Sequence, residues 1–290
     1  MSTRGESRLT SCTALLNSAL ERPLICATIF AKNGVGFART SRKATELGSD
    51  LIELRIDHLV EAGPAHIAKM IANSPLPIIA TCRSTKDLGK FPSSQEASRL
   101  NLLESVISFK PTFVDLELQT DEKRLTRLIR LAKVNGVGVI CSHHDFETTP
   151  STRRILRLAK NLQERNVDIS KLVFTPHNNI DVQRILTVAS KLFEQKQLFT
   201  IFGMGKVGEV TRIASLFLGG SLIYCSIGER KTALGQIGLA DAKRYLDSLD
   251  ARKWKSLRKN RSSLLSHLRR RLGAQNILHY NSIDTANYVC

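Results

Sequence analysis

Eight short apolar runs, each bounded by polar or turn-forming residues, recur along this chain at nearly even spacing. They are Leu24–Phe30, Leu51–Ile56, Pro77–Cys82, Thr112–Leu118, Val137–Ser142, Lys171–Thr175, Leu198–Phe202 and Ser221–Ser226. Each has the length and the β-branched or aromatic content of a buried strand. Between them lie amphipathic stretches with helical spacing. Ser94–Phe109 places Ala97, Leu100, Leu103, Val106 and Ile107 on one stripe, and Asp121–Val134 repeats the pattern behind an acidic start. Ser151–Glu164, Thr40–Leu47, Glu61–Ala72, Asp181–Phe193, Val207–Leu218 and Ile237–Leu249 read the same way. Strands that alternate with helices form a parallel sheet with helical crossovers. Eight such units predict a closed (β/α)8 TIM barrel rather than an open doubly wound sheet.

The alternation occupies residues 21–250 of a 290-residue chain. It leaves an N-terminal segment, 1–20, and a C-terminal extension, 251–290, which is predicted to be a partly helical basic tail. The chain carries a formal charge of +17, and nine basic residues fall after position 250 against the single acid Asp284. Such a balance calls for an anionic partner. Nucleic acid is one candidate, but the tail carries no recognisable nucleic-acid-binding module, and a solvated charged helix is the better reading. The first ten residues are polar and mixed in charge, unlike a secretory signal, and no window approaches the ~18 apolar residues of a membrane span. A cytoplasmic location is therefore expected. None of the six cysteines forms a CxxC pair, and four lie inside apolar runs, which argues for buried thiols and against a zinc or disulfide framework.

Barrel chemistry sits at the C-terminal ends of the strands, and side chains facing the interior are spaced by two. Glu53, Arg55 and Asp57 share one face of the second strand, and Arg83 ends the third in phase with Ile79 and Thr81. The fifth ends Ser142-His143-His144-Asp145, where at most one histidine faces inward. Lys171 stands at the start of the sixth, and a lysine inside a barrel needs a partner. Gly203–Gly208 fits GxGxxG after a strand, yet Ser221–Gly228 supplies none of the acidic residues a dinucleotide site would want ~20 residues on. It reads instead as a tight turn presenting Arg212. The glycine-punctuated loop Gly228–Gly238 reads as a mobile lid.

These residues, in this order, resemble the type I 3-dehydroquinate dehydratases (3-dehydroquinases) of the shikimate pathway. The motifs are Glu53-Leu-Arg55-Ile-Asp57-His58, Thr81-Cys-Arg83-Ser84, Ser142-His-His144-Asp-Phe146, Lys171-Leu-Val, Gly203-Met-Gly205 with Arg212, and Gly235-Gln236. The resemblance implies a (β/α)8 barrel that converts 3-dehydroquinate to 3-dehydroshikimate with no metal or organic cofactor. It implies that Lys171 forms an imine with the ring ketone and that His144 acts as general base, then acid. It further implies that Arg212 binds the substrate carboxylate, that Glu53, Arg55 and Arg83 line the substrate pocket, that Gln236 and Thr232 belong to the lid, and that the chain pairs as a homodimer. Two positions depart from the family pattern. Asp87 stands where a glutamate is common, one methylene short of it, and Leu88 replaces a common glycine.

The residue types suit the chemistry. An iminium accepts the electron density of α-proton removal far better than a carbonyl. An ordinary lysine, pKa ~10.4, is almost wholly ammonium at neutral pH, so Arg55, Arg83 and Arg212 are expected to converge on Lys171 and favour its free base. An arginine fork matches a carboxylate, and a histidine titrates where a proton must be taken and returned. A class I aldolase or transaldolase, also a lysine-imine barrel, is the alternative enzyme. A barrel that binds nucleic acid through its tail is the alternative of another class.

Overall fold

The computed structural model describes residues 11–59, 63–228 and 235–248. Eight parallel strands follow one another in space as they do in sequence: β1 (Leu24–Ile29), β2 (Leu51–Arg55), β3 (Ile78–Thr81), β4 (Phe113–Glu117), β5 (Gly138–His144), β6 (Ile169–Phe174), β7 (Phe199–Gly203) and β8 (Leu222–Ser226). β1 pairs with β2 on one side and β8 on the other. The ring closes between β7 and β8, where the Ser221 amide donates to the Phe199 carbonyl at 2.7 Å and Thr200 Oγ1 donates to the Leu222 carbonyl at 2.8 Å. The predicted (β/α)8 barrel is the fold observed.

Each crossover carries the expected helix. They are α2 (Gly34–Glu46), α3 (Pro64–Ala72), α4 (Glu96–Ser108), α5 (Glu122–Val134), α6 (Thr152–Glu164), α7 (Asn179–Glu194), α8 (Gly205–Phe217) and α9 (Leu239–Asp247). α5 shows why the pattern folds this way. Asp121 caps it by accepting from the Arg124 amide at 3.1 Å, and Leu125, Leu128, Ile129 and Ala132 bury one stripe against the sheet. Outward-facing strand residues such as Ile52, Leu54, Val114 and Leu172 meet those stripes in one continuous core.

A second apolar cluster fills the barrel itself. Leu24, Cys26, Leu51, Ile79, Phe113, Ile140, Ile169 and Leu222 belong to it, together with Leu15 and Ala19 of α1 (Cys12–Glu21). This short helix, capped by Ser11, packs against the barrel's N-terminal end. In the sequence this stretch falls almost wholly within an undifferentiated N-terminal segment, 1–20. Burial of Leu15 contributes roughly 1.5–3 kcal/mol.

Several boundaries differ from expectation: α2 begins at Gly34, six residues before the Thr40 expected, β5 runs on to His144, and three further differences bear on the site. β6 begins at Ile169, so Lys171 is its third residue and not its first. The strand was misplaced because Ile169 and Ser170 sit between a polar turn and a lysine that breaks the apolar run. Asp57 lies beyond β2 in a short 3-10 turn, Ile56–His58. A two-residue strand, β9 (Ile237–Gly238), adds beside β8, which shortens the helix expected from Ile237. The basic tail from position 251 lies outside the described residues.

Candidate active site

The interior changes character with height. Above the apolar layer the inward positions become polar: Thr28 on β1, Glu53 and Arg55 on β2, Thr81 on β3, Asp115 and Glu117 on β4, Ser142 and His144 on β5, Lys171 on β6. All but Arg55 and His144 are buried, and those two are half-buried. Of these, Thr28, Glu53, Arg55, His144 and Lys171 line a cavity of about 290 Å³, room for a small ring acid.

Lys171 Nζ lies 2.9 Å from Asp115 Oδ2 and 3.7 Å from Glu53 Oε1, and it stands 4.0 Å from the centre of the Tyr224 ring. The three arginines expected to converge on Lys171 line the same cavity as it does, without making its closest contacts. The charged groups touching Nζ are carboxylates. Arg83 reaches the same cluster but spends its guanidinium on Asp115 at 2.8 Å and Ser142 Oγ at 2.8 Å. A buried guanidinium so placed needs acids around it, and those acids come from β4, next in the ring. Burial alone would raise the Asp115 carboxyl, yet Arg83 and Lys171 hold it well below the usual range. Glu53 is fixed by hydroxyls from both neighbouring strands, Thr28 at 2.9 Å and Thr81 at 3.0 Å.

The histidine pair separates as strand geometry requires. His144 lines the cavity, while His143 sits against Phe174 of the outer core, ring centres 6.0 Å apart. His144 Nδ1 lies 3.1 Å from Asp87 Oδ2. Burial, then the Arg83 cation, draw the imidazole down to about 4 despite Asp87, so it is neutral at neutral pH. With Nδ1–H assigned to the bond with Asp87, Nε2 is left as the basic nitrogen. Asp87, one methylene shorter than glutamate, therefore still reaches the ring. Leu88, which follows it, adopts φ 55°, the left-handed region that glycine enters freely, and its exposed side chain borders the cavity.

Arg55 is held by a two-point bond to Asp57, at 2.9 and 2.7 Å, and Asp57 in turn accepts the Arg83 and Lys90 amides. Arg212 is buried on α8 with its guanidinium 4.1 Å from the Phe202 ring centre. Burial pulls it down to about 10, still a cation at neutral pH. Gln236, beside β9, is buried at the cavity wall. Thr232 and the rest of 229–234 lie outside the described residues, so the lid reading rests on sequence. Among the described residues no cluster of three His, Cys, Asp or Glu side chains could hold a metal.

Sequence reasoning singled out most of this set but missed Asp115, Glu117 and Tyr224. The first two carried a signal: Phe113, Asp115 and Glu117 alternate in an apolar run, as Glu53 and Arg55 do. Tyr224 carried none, because an aromatic residue in a buried strand reads as core.

Residues 25–253 match the family described as type I 3-dehydroquinase. The 3-dehydroquinate dehydratase of Methanosarcina barkeri is 34% identical over 217 residues, spanning 72% of this chain and 89% of its own. That of Methanosarcina mazei is 31% identical over 252 residues, with 84% and 98% covered. Among solved structures, the Geobacillus kaustophilus 3-dehydroquinate dehydratase superposes with a TM-score of 0.72 at 24% identity, covering 78% of this chain and 91% of its own. The type I enzyme of Clostridium difficile, with covalently modified comenic acid, gives 0.71 at 23% identity, with 78% and 92% covered. These two likenesses show the shared fold.

Proposed function

From its membership of the type I 3-dehydroquinase family, to which the chain belongs, we infer how this barrel carries out its reaction: through Lys171 as the imine-forming nucleophile and His144 as the proton carrier. The chain is a 3-dehydroquinate dehydratase, a lyase of the shikimate route to aromatic amino acids. The aldolase alternative falls with that membership.

The single observation that carries the mechanism is the placing of a buried lysine and a neutral, carboxylate-bound histidine on one small cavity. Arg212 takes the substrate carboxylate, and Glu53, Arg55, Arg83, Gln236 and Thr232 form the remaining pocket. Lys171 Nζ, after giving up a proton, bonds to the ketone carbon, and the ketone oxygen leaves as water. The resulting iminium draws electron density from the adjacent carbon. Nε2 of His144 takes the proton there, which leaves an enamine. The enamine pushes out the β-hydroxyl, to which the same imidazolium returns a proton. Hydrolysis of the product iminium frees the enone and restores Lys171. The imidazole meets the first demand on a base by being uncharged at rest, and Asp87 steadies the charge it gains.

Borohydride reduction tests this. With substrate present, the wild-type chain should gain one stable adduct mass on Lys171, and Lys171→Ala should gain none and lose near-ultraviolet enone formation. Full turnover in the alanine variant would remove the imine from the scheme. A cytoplasmic homodimer, the division at residues 20 and 250, and a tail without nucleic-acid affinity complete the proposal. The first rests on the family resemblance and is checked by the molecular mass in solution.

A further inference from the structure

Tyr224 has no part in the scheme above, yet it stands directly against the nucleophile. It points inward from β8, opposite Cys26 of β1, and is only 4% exposed. Its ring lines the cavity, and the ring centre lies 4.0 Å from Lys171 Nζ. Its hydroxyl oxygen is buried and finds no hydrogen-bond partner among the described residues. Burial, with the fields of Glu53 and Asp115, pushes the phenol well above its ordinary value, so the group is neutral. A buried hydroxyl left unbonded destabilises the fold, so the hydroxyl does not explain the side chain's placement. The ring face does. Asp115 and Glu53 draw the ammonium toward β4 and β2, and a long lysine stem has many rotamers from which to satisfy either acid. The electron-rich face of an aromatic ring supplies a further attraction, from β8, without a third carboxylate.

We propose that Tyr224 is a positioning residue: its ring face holds the Lys171 amine between β8 and the two carboxylates, in the one place from which it can reach a ketone carbon in the cavity. The proposal rests on the imine reading and adds a residue to it. The ring bonds to nothing during the reaction and acts only through the nitrogen it supports. A shape-filling side chain without a π face would leave the nitrogen to settle on either acid, and attack would slow while substrate binding stayed as it was.

The test compares Tyr224→Phe, Tyr224→Leu and a series of fluorinated phenylalanines placed at 224, which keep the ring's shape while weakening its face. Three readouts are needed: the single-turnover rate of borohydride-trapped adduct, kcat against KM, and the melting temperature. Phe should form adduct within about twofold of wild type and melt higher, because it sheds the unbonded hydroxyl. Leu should form adduct roughly tenfold more slowly with KM nearly unchanged, the scale of a desolvated cation–ring contact. Across the fluorinated series the adduct rate should fall as the face loses electron density, and a residue that merely fills space would not show that trend. A flat series, or a Phe variant as slow as Leu, overturns the proposal. Failure of the imine reading looks different, since no adduct would then form on Lys171 in any protein, wild type included.

Discussion

At the scale of single residues the site turns on an imidazole that stays neutral where an ordinary one would be partly charged. An ordinary histidine titrates near 6.5, and burial with the Arg83 cation brings His144 to about 4. The base form is therefore populated well below neutrality. The acid limb of kcat/KM should fall near pH 4 and not near 6.5. The same shift bears on stability. A histidine held neutral in the fold contributes stability above pH 6.5, and that contribution is lost as pH falls from 6.5 toward 4. Asp87 opposes the shift, so Asp87→Asn should move the acid limb lower still. It should also cut kcat by roughly tenfold or more, because the ring loses the carboxylate that orients it and steadies its charge. A pH–rate profile of the two proteins checks both. An acid limb that rises in the Asn variant would mean that Asp87 is not the dominant partner of His144. Spacing made His144 legible only as one of two neighbours. The family motif chose between them, and strand alternation accounts for the choice, since its neighbour faces Phe174. Asp115 was legible in principle, through its alternation with Phe113 and Glu117. Tyr224 was not, because its function is a matter of what stands over its ring.

At the scale of elements, the Gly203–Gly208 pattern shows how a motif can be physically meaningful and chemically misleading. Glycines in GxGxxG serve close approach of a helix to a strand. Here a Cβ on Gly208 would lie 2.4 Å from the Gly203 carbonyl carbon, so α8 is seated directly on the end of β7. Gly205 has φ 69°, the left-handed turn that starts the helix, and a Cβ on Gly235 would meet its carbonyl oxygen at 2.8 Å. The motif thus packs a helix whose next turn delivers Arg212 to the cavity, and sequence reasoning placed it so by weighing the missing acid. Gly208→Ala should push α8 off the sheet. Overpacking of this kind costs ~1–3 kcal/mol, or roughly 2–10 °C in melting temperature for a domain of this size. KM should rise by about tenfold with a smaller change in kcat, because the displaced group holds the substrate and not the reacting atoms. Steady-state kinetics with thermal melts decides it. An unchanged KM would separate the seat of α8 from substrate binding.

At the scale of the whole molecule, alternation told how many strands there are but could not tell where the ring is weakest. Seven of the eight barrel junctions are continuous parallel ladders, each set by two apolar runs that read as strands. The junction of β7 with β8 is held instead near the strand starts by a few bonds, two of them made by side chains. Ser221 donates its amide to Phe199 and accepts the Phe199 amide on its hydroxyl at 3.2 Å, and Thr200 donates to Leu222. Serine and threonine in an apolar run carry no mark that distinguishes a seam from a surface position. Nor does any periodicity announce α1, because ten residues offer too few turns to show a stripe. Both features belong to closure of the ring and not to any one element. Their energetics follow from burial. Ser221 and Phe199 are wholly buried, so Ser221→Ala leaves the Phe199 amide without its acceptor, a loss of ~1–3 kcal/mol. The melting temperature should drop by roughly 2–10 °C. The local signature matters more. Amide exchange at Phe199, Ile201 and Leu222 should accelerate well before exchange in β3 to β5, since a barrel opens first where its ladder is thinnest. Tyr224 stands on β8, one wall of that seam, and Lys171 on β6, paired with β7 of the other wall, so opening it would also loosen the amine from its ring. Exchange that accelerates equally in every strand of the variant would show that the ring opens as one body and that no seam exists.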